Sequence, residues 1–162
     1  MAQRGPLTDE LETIYRLRYR RFLRVATAIL GAEASAHDAV QEGFAQALRE
    51  QRSFRSDGPL DAWVWRLVLN AALALRRRQV ARHEAPEAEV ESPNGHPSDE
   101  SSVRTWVAAL PERQRLAVYL RYYADLDYRS IAVALGVETG TVSATLSSAH
   151  RALRRSLEEV EQ

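Results

Sequence analysis

Apolar residues recur along this chain at intervals of three and four, the spacing that lines one side of a helix, and no sustained two-residue alternation marks a strand. Leu11, Ile14, Tyr15, Phe22, Val25 and Ile29 predict a first helix, capped by Thr8 or Asp9 and stopped by Gly31 just after Leu30. Ser35 with Asp38 three residues on reads as a short capping box opening SAHDAVQEGFAQALREQ, whose buried stripe is Val40, Phe44, Ala47 and Leu48. A polar loop, SFRSDGP, follows, and Pro59 stands in the first turn of a third helix, LDAWVWRLVLNAALALRRR. Trp63 and Trp65 are two apart, so they cannot share a face. At about 100° per residue, Trp65 falls with Val64, Val68, Leu69, Ala72 and Leu75 as core. Trp63 falls with Arg66, Leu67, Asn70, Ala74 and Arg77, a mixed face of aromatic, guanidinium and amide groups that can stack on bases, neutralise phosphates and bond base edges.

The periodicity breaks over residues 80–102, where three prolines, a glycine and an acidic run surround one aliphatic anchor, Val90; this composition predicts a flexible linker. Beyond it Ser101 or Ser102 opens a helix carrying Trp106, Val107 and Leu110, and Pro111 starts another carrying Leu116, Val118, Tyr119, Leu120 and Tyr123. The stretch DYRSIAVALGVETGTVSATLSSAHRAL then reads as a helix-turn-helix. Asp127 caps a short helix of Ile131, Ala132 and Leu135, and Gly136 supplies the tight turn. Val142, Leu146, Ala149 and Leu153 stripe a second helix, with Arg151, Arg154 and Arg155 near its end. Ala132, Gly136 and Val142 let the two helices cross closely, as in DNA-reading pairs, although an ordinary helical hairpin shares the pattern. The fold predicted is all-α: two small helical domains, residues 1–79 and 103–162, joined by the acidic linker.

Charge sharpens this picture. The 162 residues sum to zero, yet residues 1–83 hold fourteen Arg against nine acids, residues 84–102 six acids and no base, and residues 103–162 eight Arg against seven acids. A basic first half beside an acidic connector suits a nucleic-acid protein that binds unevenly along its length. All the basic residues are arginine, a bias that a GC-rich genome alone would give, although arginine also suits phosphate and base-edge contacts better than lysine. Arg16, Arg18, Arg20, Arg21 and Arg24 crowd the first helix, as a solvated face or a phosphate-contacting one. Without cysteine there are no disulfides or thiolate sites, and His37, His83, His96 and His150 are too scattered to predict a metal cluster. The longest apolar run, Ala71 to Leu75, is far short of a membrane span, and Met1 to Glu10 lacks signal-peptide features, so a cytoplasmic protein is expected. No catalytic group or cofactor site is predicted either. Asp57, Asp61, Asp125 and Asp127 are accounted for by loops and caps, no glycine-rich phosphate loop occurs, and no histidine has a nucleophile partner. On residue chemistry alone, Gln41 and Glu42 read as solvated. Trp63 over the helix edge, Arg66 stacked beside it and Asn70 bonded to a loop is a structural alternative to the nucleic-acid face.

HDAVQEGFAQAL, SFRSDGPLDAWVWRLVLN and LPERQRLAVYLRYYADLDYRSIAVALGVETGTV, in this order and spacing, resemble a bacterial RNA polymerase sigma factor of the extracytoplasmic-function type, in the sigma-70 superfamily. The likeness runs from about Ile14 to Leu157. It implies a transcription initiation factor that binds core polymerase, recognises a promoter and helps melt it. Asp38, Gln41 and Glu42 would meet the clamp helices of the largest subunit. Phe54, Arg55, Ser56, Asp57 and Gly58 would form, with Asn70, the element that captures a flipped base of the minus-ten strand. Trp63 would stand at the melting fork, with Arg66 and Arg77 on the same minus-ten face. The linker would thread the active-site cleft and RNA exit path. The second domain would grip the flap and lay the helix from about Glu138 into the minus-thirty-five major groove, presenting Thr141, Ser143, Ala144, Thr145, Ser147, Ser148 and Arg151. The partners implied are core polymerase, promoter DNA and an anti-sigma factor, with no membrane.

The recognition helix departs from the family, which places basic and polar residues where this chain has Ser143, Ala144, Thr145, Ser147 and Ser148. His150 stands where arginine is common, and Ala74 where an acidic or amide residue often follows Asn70. Small side chains cannot bond a guanine edge bidentately, and each lost phosphate contact flattens salt dependence. The alternative is therefore a sigma-like interaction module, an anti-sigma decoy or polymerase binder, with weak or no sequence-specific DNA binding.

Overall fold

Seven α-helices make up the regular structure of residues 4–82 and 99–162, the part of the chain that a computed structural model describes, apart from one short 3-10 turn at Gln51–Ser53. Helices α1 (Thr8–Leu30), α2 (Glu33–Glu50) and α3 (Leu60–Ala81) form a first unit; α4 (Asp99–Ala108), α5 (Glu112–Tyr122), α6 (Tyr128–Leu135) and α7 (Thr139–Val160) form a second. The linker predicted over residues 80–102 is corrected at both ends, since Val80 and Ala81 complete α3 and residues 99–102 open α4; the rest of it from residue 83 to 98, Val90 included, lies outside the described residues.

The first unit is organised around Trp65, which is fully buried and stacked on Phe22 at 4.0 Å between ring centroids. Phe22 in turn meets the edge of Phe44 at 5.1 Å, so one aromatic cluster joins all three helices. Trp63, on another face of α3, is only half-buried, as the two-residue spacing requires. Helices α2 and α3 cross closely because residue 43 is glycine: a Cβ there would stand 2.5 Å from Val68 Cγ2 and 2.7 Å from Val68 Cα.

Four local expectations are corrected. Neither Thr8 nor Asp9 caps α1; Leu7 is the N-cap, and its N–H is taken by the buried Gln51 side chain at 2.8 Å. Helix α2 starts at Glu33, ahead of Ser35, because extended Ala32 turns the chain in and Glu33 places a carboxylate in the positive first turn. The Ser35 hydroxyl accepts from Gln79 Nε2 at 3.2 Å instead of capping. Leu48 is 45% exposed and Leu67 only 6%, so Leu48 leaves the α2 stripe and Leu67 leaves the mixed face of α3 for the core. Helix α4 begins at Asp99, ahead of both Ser101 and Ser102.

The second unit follows its local signals more closely. Pro111 is the N-cap of α5, and Leu116, Val118, Tyr119 and Leu120 are buried. Asp127 caps α6 by accepting the Ser130 N–H at 2.8 Å, and Gly136, at φ 67°, ends it in the left-handed region that favours glycine. Val142, Leu146 and Ala149 bury one side of α7 against α5 and α6. The units also touch each other, chiefly where α6 lies along α3 and more lightly where α5 meets α1.

Candidate nucleic-acid interface

The loop between α2 and α3 folds back onto α3, and the Phe54 ring lies 5.3 Å from that of Trp63, tilted by 47°. Ser56 turns the loop at φ 58°, a left-handed conformation costly for a residue with a Cβ and concentrated at functional turns. Arg55, Ser56 and Asp57 are exposed there and Gly58 is half-buried. Along α3 the exposed Arg66 and Asn70 follow Trp63 on the same side, and the exposed Arg77 lies two turns further. Phe54, Trp63, Arg66 and Asn70 are thus brought to one patch. Asn70 makes no hydrogen bond to a loop among the described residues. Nor does Arg66 stack over Trp63; its guanidinium lies near Gly136, where a Cβ would be 3.7 Å from Nη2.

This patch is held by contacts that the sequence motifs did not reveal. Arg18 of α1 is ion-paired with Asp61 in the first turn of α3, and Asp61 also accepts its neighbouring Ala62 N–H at 3.0 Å. The side chain that ties the start of α1 to the end of α2, Gln51, likewise left no local signature, since its partners on the α1 side, Leu7 and Thr8, lie more than forty residues away.

Asp38, Gln41 and Glu42 are all exposed on α2. Glu42 is paired with Arg49 at 3.0 Å, both side chains standing in solvent. A surface pair of this kind contributes little to stability, which leaves the carboxylates available to a partner. Nearby, Tyr19 is hydrogen-bonded to His37, which also approaches Glu33 at 3.5 Å, so α1 braces the start of this face.

On α7, Thr141, Ser143, Ala144, Ser147 and Arg151 are exposed, while Thr145 and Ser148 are half-buried. Arg151 donates to the Ser148 hydroxyl at 3.3 Å, and Arg154 and Arg155 are exposed one turn on. The first two turns therefore offer hydroxyls close to the backbone and the N–H groups of a helix N-terminus, with guanidinium groups only further along. Asp127 sits behind the turn; the hydrogen bonds from Ser130, its backbone N–H first, hold its carboxyl below the ordinary aspartate range. Among the described residues no group of three or more His, Asp or Glu side chains gathers as a metal site. No helix there is long and apolar enough to cross a membrane.

A three-helix unit bearing an exposed aromatic, guanidinium and amide patch is followed by a helix-turn-helix unit, an arrangement suited to nucleic acid. The Sigma-70 region 2 family model matches residues 14–82, and the Sigma-70, region 4 model matches residues 100–155. An ECF RNA polymerase sigma factor SigM of Mycobacterium tuberculosis is 30% identical over 90% of this chain and 76% of its own length. An RNA polymerase sigma-E factor of Streptomyces antibioticus is 29% identical over 94% of this chain and 85% of its own. The fold matches the sigma factor RpoE from Bartonella quintana, solved in complex with the anti-sigma factor NepR, at a TM-score of 0.69 and 22% identity, covering 93% of this chain and 98% of that one. It also matches CnrH, solved with the cytosolic domain of CnrY, at 0.71 and 21%, covering 93% and 89%. The chain belongs to the extracytoplasmic-function family of sigma-70 RNA polymerase sigma factors, a family of transcription initiation factors and not of enzymes.

Proposed function

We propose that this chain is a cytoplasmic initiation factor, with no active site and no cofactor of its own, that docks on core RNA polymerase through α2 and opens promoter DNA with α3 and the loop before it. In this assignment the unit ending with α3 at Ala81 binds the clamp and the minus-ten element, the stretch between α3 and α4 is the linker that enters the polymerase cleft, and the unit opening with α4 at Asp99 serves the flap and the minus-thirty-five element. Asp38, Gln41 and Glu42 meet the clamp helices. Phe54, Arg55, Ser56, Asp57 and Gly58 enclose a flipped base whose edge Asn70 reads, Trp63 stacks at the fork, and Arg66 and Arg77 track phosphates. The observation that carries the proposal is the convergence of Phe54 and Trp63 with exposed Arg66 and Asn70. Unstacking a base costs a few kcal/mol, which a patch of aromatic and hydrogen-bonding groups offsets. On α7, Thr141, Ser143, Ala144, Thr145, Ser147, Ser148 and Arg151 face the upstream element.

An anti-sigma protein is a further expected partner; the RpoE structure above was solved in complex with one. The exposed hydroxyl and methyl groups at Ser143, Ala144 and Ser147 favour a second reading, an interaction module that binds polymerase or an anti-sigma protein without reading the upstream duplex. The test separates the two faces of the first unit. Asn70→Ala is expected to lower promoter opening, followed by permanganate reactivity of unpaired thymines, by roughly tenfold, the loss of one good base-edge contact. Its polymerase affinity should stay unchanged. Asp38→Ala should weaken polymerase binding first, and at saturating protein restore full opening. Equal losses by both variants in both assays would refute the division.

A further inference from the structure

Among the described residues Leu17, in the middle of α1, is the most exposed large hydrophobic side chain, with 79% of its surface in solvent. It adjoins an open groove of about 550 Å³ between α1 and the start of α3, lined also by half-buried Ile14 and Leu60 and by Asp9, Glu10 and Thr13. A lone surface leucine needs no explanation, whereas one that continues an apolar groove marks a place where another chain can rest. Arg18 and Asp61 border the same groove but neutralise each other. At about 100° per residue, Glu10, Thr13, Arg21 and Arg24 fall within about 40° of the Leu17 direction, and all four are exposed. This face of α1 therefore carries an acid at one end, guanidinium groups at the other and the leucine midway. Among the described residues Glu10, Arg20, Arg21 and Arg24 have no ion-pair partner.

We propose that this face of α1 is a docking surface for a second copy of the chain, the two α1 helices lying antiparallel about a twofold axis at Leu17. In a twofold contact a residue seven places before the axis meets one seven places after it. Glu10 of each copy then faces Arg24 of the other, Thr13 faces Arg21, and the two leucines meet beside Ile14 and Leu60. Like charges stay apart. A rise of about 1.5 Å per residue sets the two Arg24 groups about 21 Å from each other along the helices and the two Arg20 groups about 9 Å, beyond the Debye length of about 8 Å in physiological salt. A parallel arrangement would set Arg24 on Arg24 and Glu10 on Glu10, so the order of charges specifies the antiparallel one. The same order selects the occupant. Nucleic acid is repelled by Asp9 and Glu10, and a wholly basic peptide by the arginines, whereas a second α1 presents both signs in reverse. One helix pair buries less than the roughly 1,200 Å² of a lasting complex, so the dimer is transient and depends on concentration.

Sedimentation equilibrium of the full-length, nuclease-treated protein tests this. The average mass should rise toward twice that of one chain as concentration approaches about a millimolar, and fall back in high salt. Glu10→Arg and Arg24→Glu, each alone, set like charges opposite each other and should weaken association at least about tenfold. Mixed in equal amounts, the first variant carries only cations at these two positions and the second only anions, so every pair across the axis becomes complementary. The mixture should therefore associate at least as strongly as wild type, a recovery that a folding defect in either variant would not give. Leu17→Glu, whose side chain stands in solvent, should abolish association alone and in every mixture. Wild type that stays monomeric to about a millimolar, a mixture no more associated than its components, or Leu17→Glu associating like wild type would overturn the dimer. Association seen only before nuclease treatment would also overturn it and give the arginines to nucleic acid.

Discussion

Asp127 joins a local sequence signal to a measurable energy. Its side chain accepts the Ser130 N–H, satisfying one of the donors that a helix start leaves without a partner. That bond favours the charged form and holds the carboxyl below its ordinary value. A group whose pKa is depressed on folding stabilises the fold above its unfolded pKa, and the gain is lost as pH falls through the folded value. Asp127→Ala is therefore expected to cost about 1 kcal/mol in urea unfolding at neutral pH. The gap from wild type should narrow below about pH 4, where the unfolded chain's carboxyl begins to protonate, and close once the folded carboxyl, which titrates lower, is protonated too. Asp127→Asn should keep most of the cap while losing that part of the acid dependence; a gap that stays constant into acid would contradict the assignment. This cap was legible in the sequence because donor and acceptor are three residues apart. The Gln51 cap on α1 was not, since the residue that completes the helix start comes from the far end of α2.

At the scale of elements, the same distinction between near and far contacts decides what could be read. The all-helical class, the Trp63 and Trp65 split, the α6 and α7 pair and Gly136 follow from periodicity and turn chemistry, which act within a few residues. Leu48 and Leu67 were misplaced because a stripe predicts a direction, whereas burial depends on which helix arrives to cover it. Gly43 is the sharpest case. It stands next to the exposed Glu42 on α2, yet its absent Cβ is what lets α3 approach α2. Gly43→Ala should destabilise the protein by about 1–3 kcal/mol or more, as overpacking against a backbone does. Gly140→Ala, with nothing within 4 Å of the added carbon, should be neutral or slightly stabilising because alanine is the better helix former. Urea melts of the two variants check this directly; equal effects would mean that the α2 and α3 crossing has slack.

At the scale of the whole molecule, the candidate site was legible as separate surfaces but not as an arrangement. The residues proposed for the minus-ten strand and the proposed α2 and α7 faces could each be drawn from spacing and family resemblance. That Asn70 and Thr141 would face the same cleft could not, since periodicity carries no information about how one unit rests on another. The poverty of α7 in basic side chains, by contrast, was plain from the sequence, and its exposed Ser143, Ala144 and Ser147 match it. Holoenzyme made with this chain is thus expected to depend more on the minus-ten contacts than on the upstream duplex. The measurement that bears most directly on the account is transcription from sheared genomic template by core polymerase of the source bacterium, with and without this protein, followed by sequencing of transcript ends. The account predicts discrete new start sites sharing an upstream motif, most sharply defined around minus ten. Tight binding to polymerase or to an anti-sigma protein with no new start sites would contradict it and leave the interaction module as the function.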